Sequence, residues 1–136
     1  MKPIPFDPKT DIAPIPFDEV HLDLARKMKK SGLQWKPHVG CFVWDPERLI
    51  ETESPFPLRV YFILSLPRFI NIFGSAENVA EKLIWLPTWY QSRLIALRIG
   101  IDHTEVTGLY KTESFPAPGD DLSGIYRLIL EKLRSG

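Results

Sequence analysis

The clearest hydrophobic pattern in the chain is an alternation of apolar residues along positions 58–66, LRVYFILSL. Every second residue is apolar, which is the period of a β-strand. The intervening residues are half apolar as well, so we expect a central strand that is covered at least partly on both faces. Pro67 suits a type I turn, and residues 69–73, FINIF, are then expected to return as an antiparallel partner.

Two further segments are expected to form strands. Residues 39–44 are mostly apolar and end at Asp45 and Pro46, a pair that is typical of the residues after a strand. Residues 102–110 predict one more strand. The chain therefore carries about four predicted strands, of which neighbours along the chain are expected to pair as hairpins.

Helical patterns occupy the rest of the chain. Residues 19–30 place their apolar side chains on one face, and Asp18 before them is a suitable N-cap. Ser75 can cap a helix over residues 76–85, after which Pro87 is well placed to open a second one running to residue 99. A final apolar stripe spans about residues 122–134, where Asp121 is expected to cap the helix. These patterns predict three to four helical segments.

Together the patterns predict the α+β class, with an antiparallel sheet of about four strands and the helical segments packed on it. We expect a single domain at residues 18–136, preceded by a proline-rich extended arm at residues 1–17. The pentapeptide PIPFD occurs twice there, at residues 3–7 and 14–18. Each copy favours extended backbone. The arm is interpreted either as a structural anchor through its phenylalanines or as a docking motif for a partner.

Composition narrows the class of protein. The chain has 136 residues, 17 of them basic and 17 acidic, and 44% of them hydrophobic, which is typical of a globular domain and not of disorder. Without a basic excess, binding to nucleic acid or to a membrane surface is not expected. The ends show no signal-peptide pattern, no stretch is apolar enough to span a membrane, and the single cysteine suits a reducing compartment. A cytoplasmic location is therefore predicted.

Residues 83–99 are the most informative segment, because as a helix they would be apolar on nearly every side. Trp85, Trp89 and Arg93 would line up at intervals of four, and Tyr90 would belong to a second stripe. Trp, Tyr and Arg are the residues that most often anchor binding interfaces. Two interpretations stay open, namely a homodimer or ligand interface and a central helix that the rest of the domain covers.

His38 and Cys41 are the candidate pair for a thiol–imidazole site. On a regular strand, residues three apart point to opposite faces, so the two side chains are expected to diverge unless Gly40 marks a bulge. Cys41 is interpreted as a small buried residue. His103 and Glu105 would lie on one side of a strand, but two ligands do not make a stable metal site. Neither a metal nor a cofactor is predicted.

Two hypotheses for function follow. The first is a small binding module, a homodimer or an accessory subunit, that uses the aromatic helix and the arm. The second is a small enzyme with a small-molecule pocket between sheet and helix. That pocket would present His38, Arg93 and His103, with Trp44 and Trp89 as walls. Convergence of these polar groups in one cavity would favour the enzyme, and an exposed apolar surface would favour the binding module.

Overall fold

Six α-helices and three short β-strands follow one another in the computed structural model, which describes residues 4, 6–110 and 117–135. The helices are α1 (Glu19–Lys30), α2 (Leu66–Phe73), α3 (Ala76–Lys82), α4 (Trp89–Arg98), α5 (His103–Thr107) and α6 (Asp120–Ser135). The strands are β1 (Phe42–Trp44), β2 (Val60–Phe62) and β3 (Ile84–Leu86), and short 3-10 helices cover Pro57–Arg59 and Gly108–Tyr110. The predicted α+β class is confirmed. For the described residues, the expectation of about four strands is wrong, since the sheet has three, and the expectation of three to four helical segments is too low, since there are six α-helices.

The chain divides into two compact units. The first unit consists of Met1–Pro16 and Trp35–Leu86, and the second of Phe17–Gln34 and Pro87–Gly136. The three strands, α2 and α3 belong to the first unit, and the remaining helices belong to the second. The predicted division into a proline-rich arm and a single domain stays a prediction.

The sheet of the first unit is antiparallel throughout, with the order β2–β1–β3. Phe42 lies opposite Phe62 on one side and Leu86 on the other. The predicted central strand is therefore at an edge, because β1 and not β2 pairs on both sides. A core lies against the sheet and includes Cys41, Val43, Ile50, Tyr61, Ile63, Phe69, Val79 and Leu83.

The second unit is helical. Both α1 and α4 pack against α6, and the buried residues include Met28 of α1, Ile95 of α4, and Ile125 and Ile129 of α6. The fully buried Tyr126 donates its hydroxyl to the carbonyl of Pro87 over 2.5 Å. This bond ties α6 to the segment that leads into α4.

Three predicted elements differ in type from the observed ones. Residues 69–73 form the second half of α2 and not a strand. Pro67 lies in the first turn of this helix, where proline is favourable, and the apolar residues recur at helical spacing, namely Leu66, Phe69, Ile70 and Phe73. Residues 103–107 form α5, which Asp102 caps by accepting from the Thr104 amide over 3.0 Å.

The third difference lies in the aromatic segment, which is not one helical run. The helix before it ends at Lys82, β3 follows, and α4 begins only at Trp89. Thr88 caps α4, because its hydroxyl accepts from the Gln91 amide over 3.2 Å and the Gln91 side chain accepts from the Thr88 amide over 2.9 Å.

The predicted α1 is confirmed, with Asp18 as its N-cap.

Candidate functional site

Helix α4 has two opposite apolar faces. Ser92, Ile95 and Ala96 are buried, as expected for the face that packs in the second unit. On the other side, Tyr90, Leu94 and Leu97 are spaced four and three residues apart and are 71%, 45% and 64% exposed. We call these three residues the outer face of α4. Exposed leucines are common one at a time, but an aligned apolar set on one helix is typical of a binding surface.

Arg93 brings together three of the residues that the sequence singled out. Its guanidinium lies 6.0 Å from the centre of the Trp89 ring and donates to Nδ1 of His103 over 3.1 Å. The proton of a neutral His103 ring is therefore on Nε2, because Nδ1 is the acceptor. The predicted pairing of Trp89 with Arg93 across one helical turn is confirmed, whereas Trp85 is on β3 and so is not aligned with them.

Trp44 and Trp85 both belong to the sheet of the first unit. Trp44 lies on β1 and is half-buried. Trp85 lies on β3, where its ring stacks on Trp35 with 5.9 Å between the ring centres and 15° between the planes. Sequence reasoning did not select Trp35. Trp44 and Trp85 are therefore both sheet residues, and Trp85 packs against the core of the first unit.

His38 and Cys41 do meet, contrary to the expectation for a regular strand. Gly40 has a φ of +103°, and the turn around it places Sγ of Cys41 3.4 Å from Nε2 of His38. The thiol is completely buried, and this burial raises its pKa, while a hydrogen bond from the His38 backbone opposes the rise to a smaller extent. A nucleophilic cysteine needs the opposite shift and access to solvent, so burial and the direction of the pKa shift do not favour an activated thiolate.

His103 and Glu105 do not share the side of a strand, because both lie on α5. Among the residues that the structure describes, no group of three or more His, Cys, Asp or Glu side chains is arranged to hold a metal ion. Asp102, beside His103, acts as a helix cap. His103 and Glu105 therefore belong to a short capped helix and not to the polar strand that the sequence predicted.

The second PIPFD copy is part of the fold. Phe17 is buried in the second unit and meets the His21 ring edge-on, with 6.3 Å between the ring centres. Nε2 of His21 in turn donates to the carbonyl of Gly119 over 3.0 Å, and this contact ties the start of α1 to the start of α6. The first copy lies partly outside the described residues.

A cleft of about 420 Å³ opens in the first unit, between segment 50–53, β2 and α2. Tyr61, Phe62, Phe69 and Ile72 form much of its wall, and the hydroxyl of Tyr61 donates to the carbonyl of Thr52 over 2.6 Å. Neither His38, Arg93 nor His103 lines this cleft. Sequence reasoning missed it because one of its walls, α2, was expected to be a strand in its second half.

Comparisons with protein-family models, with curated proteins and with solved structures give no match. In the described part of the chain, no helix combines the length and the apolar character that crossing a bilayer requires.

Proposed function

We propose that this protein is a binding module that recognises a protein partner through the outer face of α4. The exposure of Tyr90, Leu94 and Leu97 on the side of the helix opposite its buried face carries this proposal. Tyrosine is among the residues that most often dominate the energy of an interface, and leucines beside it exclude water from the contact. Helix-in-groove and helix-on-helix recognition use apolar anchors with this spacing.

The charge around the outer face favours one kind of partner. Helix α4 contains Arg93 and Arg98 and no carboxylate. Asp102, which follows in the chain, caps α5. Two copies of α4 packed face to face would bring four arginines together, and this repulsion opposes a homodimer through this face. An amphipathic helix with leucines on one face and glutamates on both flanks has the complementary pattern. The protein would then be an accessory subunit, one of the two forms expected from the sequence.

The test uses a designed acidic amphipathic peptide of that pattern and a scrambled peptide of the same composition. Fluorescence anisotropy is expected to show binding of the amphipathic peptide only. Leu94→Glu should weaken it by about tenfold or more, because it places a charge in the centre of the apolar contact. Ile12→Glu, at an exposed position outside α4, is the matched control and should bind as wild type does.

Equal binding of the two peptides, or an unchanged affinity of Leu94→Glu, would overturn the proposal. Light scattering over a range of protein concentrations tests the alternative that a second copy of this chain binds to the outer face of α4. A dimer of the wild type that Leu94→Glu dissociates would show that the face binds a second copy of the chain, and the acidic partner would then be rejected.

A further inference from the structure

The free edge of β2, in the first unit, has backbone groups available for another strand. Ile63 donates to the carbonyl of Cys41 over 2.8 Å, and Asp45 donates to the carbonyl of Arg59 over 3.0 Å. In an antiparallel pair only alternate residues bond across the ladder. The backbone amides and carbonyls of residues 59, 61 and 63 therefore point toward β1. Those of Val60 and Phe62 point away from β1, to the outer edge of the sheet.

The chain covers these outward groups at Val60 but not at Phe62. The amide of Val60 donates to the carbonyl of Pro57, and its carbonyl accepts from the hydroxyl of Ser54. Among the residues that the structure describes, the outward amide and carbonyl of Phe62 have no such partner, and the residue is 37% exposed. Unpaired groups on an edge strand are a template for another extended chain.

The cleft lies along this part of the edge. Phe62 and Tyr61 form its β2 side, and Phe69 and Ile72 of α2 form the side across from it. Arg68 and Glu53 also line the cleft, and neither forms an ion pair with another described residue. The cleft therefore combines an apolar wall and one charge of each sign with Phe62, the residue whose outward backbone groups are open.

We propose that this cleft binds a short extended peptide that adds to the outer edge of β2 at Phe62. The amide and carbonyl of Phe62 pair with the peptide backbone, as in other cases of strand addition. A side chain of the peptide packs on Phe69 and Ile72. The terminal carboxylate lies at Arg68 and the terminal ammonium at Glu53, so the opposite charges of the cleft match those of a peptide with free ends. The site is separate from the outer face of α4 and does not depend on it.

A volume near 420 Å³ is within the range of ligand sites for small molecules, which suits a peptide of a few residues and not a folded partner. A simple anion would use Arg68 alone and leave Phe62 unpaired. The backbone groups therefore distinguish a peptide from other ligands of the same charge.

The experiment titrates the full-length protein with a panel of tripeptides. Each has free termini, alanine at both ends and one of the standard amino acids in the middle, and binding is followed by the amide resonance of Phe62 and by calorimetry. At least one peptide with a large apolar middle residue is expected to shift this resonance and to slow its exchange with solvent. If no member of the panel does so, the proposal is overturned.

Backbone methylation of the best peptide tests strand addition with the wild-type protein, so that folding of a variant does not enter. A tripeptide has two amide N–H groups, and only one of them can face Phe62, whichever direction the peptide runs. N-methylation of one amide should therefore weaken binding by about tenfold or more, and methylation of the other should be tolerated. Equal effects at both amides would reject pairing with the edge.

Two further changes test the charges. Arg68→Gln and amidation of the peptide carboxyl group should each weaken binding by about tenfold, and the two effects together should not exceed either alone. Arg134→Gln, an exposed arginine on α6, is the matched control. Acetylation of the amino end should weaken binding through Glu53. If Arg68→Gln binds as Arg134→Gln does, the carboxylate does not lie at Arg68, and the site is not the one proposed.

Discussion

The guanidinium of Arg59 lies 2.6 Å from the fully buried carboxylate of Asp45. The same nitrogen donates to the carbonyl of Ile50, also over 2.6 Å, and the carboxylate accepts from the amides of Leu49 and Ile50 over 3.0 and 2.9 Å. Arg59 adopts a φ of +63°, which is unfavourable for a residue with a side chain. This cluster fixes segment 45–50 to the start of β2, and so shapes one wall of the cleft.

Replacing Asp45 with alanine is expected to destabilise the first unit by about 3–5 kcal/mol, because the guanidinium of Arg59 loses its carboxylate partner and two amides lose their acceptor. Urea unfolding followed by tryptophan fluorescence measures this, since Trp35, Trp44 and Trp85 all lie in that unit. Asp23→Ala removes an exposed carboxylate 3.0 Å from Lys27 and should cost less than about 1 kcal/mol. Equal losses in the two variants would contradict this account.

Tyr126→Phe is expected to destabilise the second unit by about 1–3 kcal/mol, because the buried carbonyl of Pro87 loses its donor. Circular dichroism of the helices during urea unfolding is the measurement. Tyr90→Phe, which changes an exposed tyrosine, is the control and should leave the unfolding midpoint unchanged.

The burial of Tyr126 also predicts that the stability of the protein decreases at alkaline pH. Burial raises the pKa of Tyr126 well above its ordinary value of 10.0, so the folded state keeps the proton when the unfolded chain would lose it. The resulting stability is complete below the unfolded pKa and is lost as pH rises above about 10. In Tyr126→Phe the free energy of unfolding should fall less steeply over that range. An identical slope in both proteins would be evidence against a buried, protonated tyrosine.

The lowered pKa of Asp18 predicts that the stability of the protein decreases at acidic pH. Burial raises the pKa of its carboxyl, but hydrogen bonds from the amides of His21 and Val20 and the nearby ring of His21 outweigh burial, so the pKa is lowered overall. This contribution to stability is present above the unfolded pKa, about 3.9, and is lost as pH falls through the lower folded value. Asp18→Ala should cost about 0.5–2 kcal/mol at neutral pH.

That loss should become smaller as pH falls below about 4, since protonation weakens the cap in the wild type as well. Asp18→Asn keeps an acceptor without the charge and should show less dependence on pH. A loss in Asp18→Ala that stays constant across this range would show that the charge of the carboxylate does not contribute.

Cys41 is expected to react with a disulfide reagent at least about a hundredfold more slowly in the folded protein than in denaturant, because burial hinders both ionisation and access. His38→Ala should leave the slow rate nearly unchanged if the contact is structural. A fast reaction of the wild type that His38→Ala slows would instead identify an activated thiolate, and would favour the enzyme hypothesis from the sequence.

The elements that the sequence predicted correctly are those determined by neighbouring residues. Helix α1 begins directly after Asp18 and has the predicted bounds. Its N-cap residue and its amphipathic face, which determine these bounds, both lie within a few helical turns of one another. The interaction of Trp89 with Arg93 was also predictable, because residues four apart on a helix are neighbours. Both follow from local geometry alone.

Tertiary structure decided the rest. Residues 69–73 and 83–86 are short apolar runs that suit either a helix or a strand, and pairing with β1, distant in the chain, made only the second a strand. The turn at Gly40, with its positive φ, places His38 against Cys41. Packing within the second unit determines which of the two apolar sides of α4 is buried. Hydrophobic spacing within a segment determines an amphipathic helix, whereas strand pairing, the cleft beside Phe62 and the exposure of Leu94 depend on how separate segments pack together.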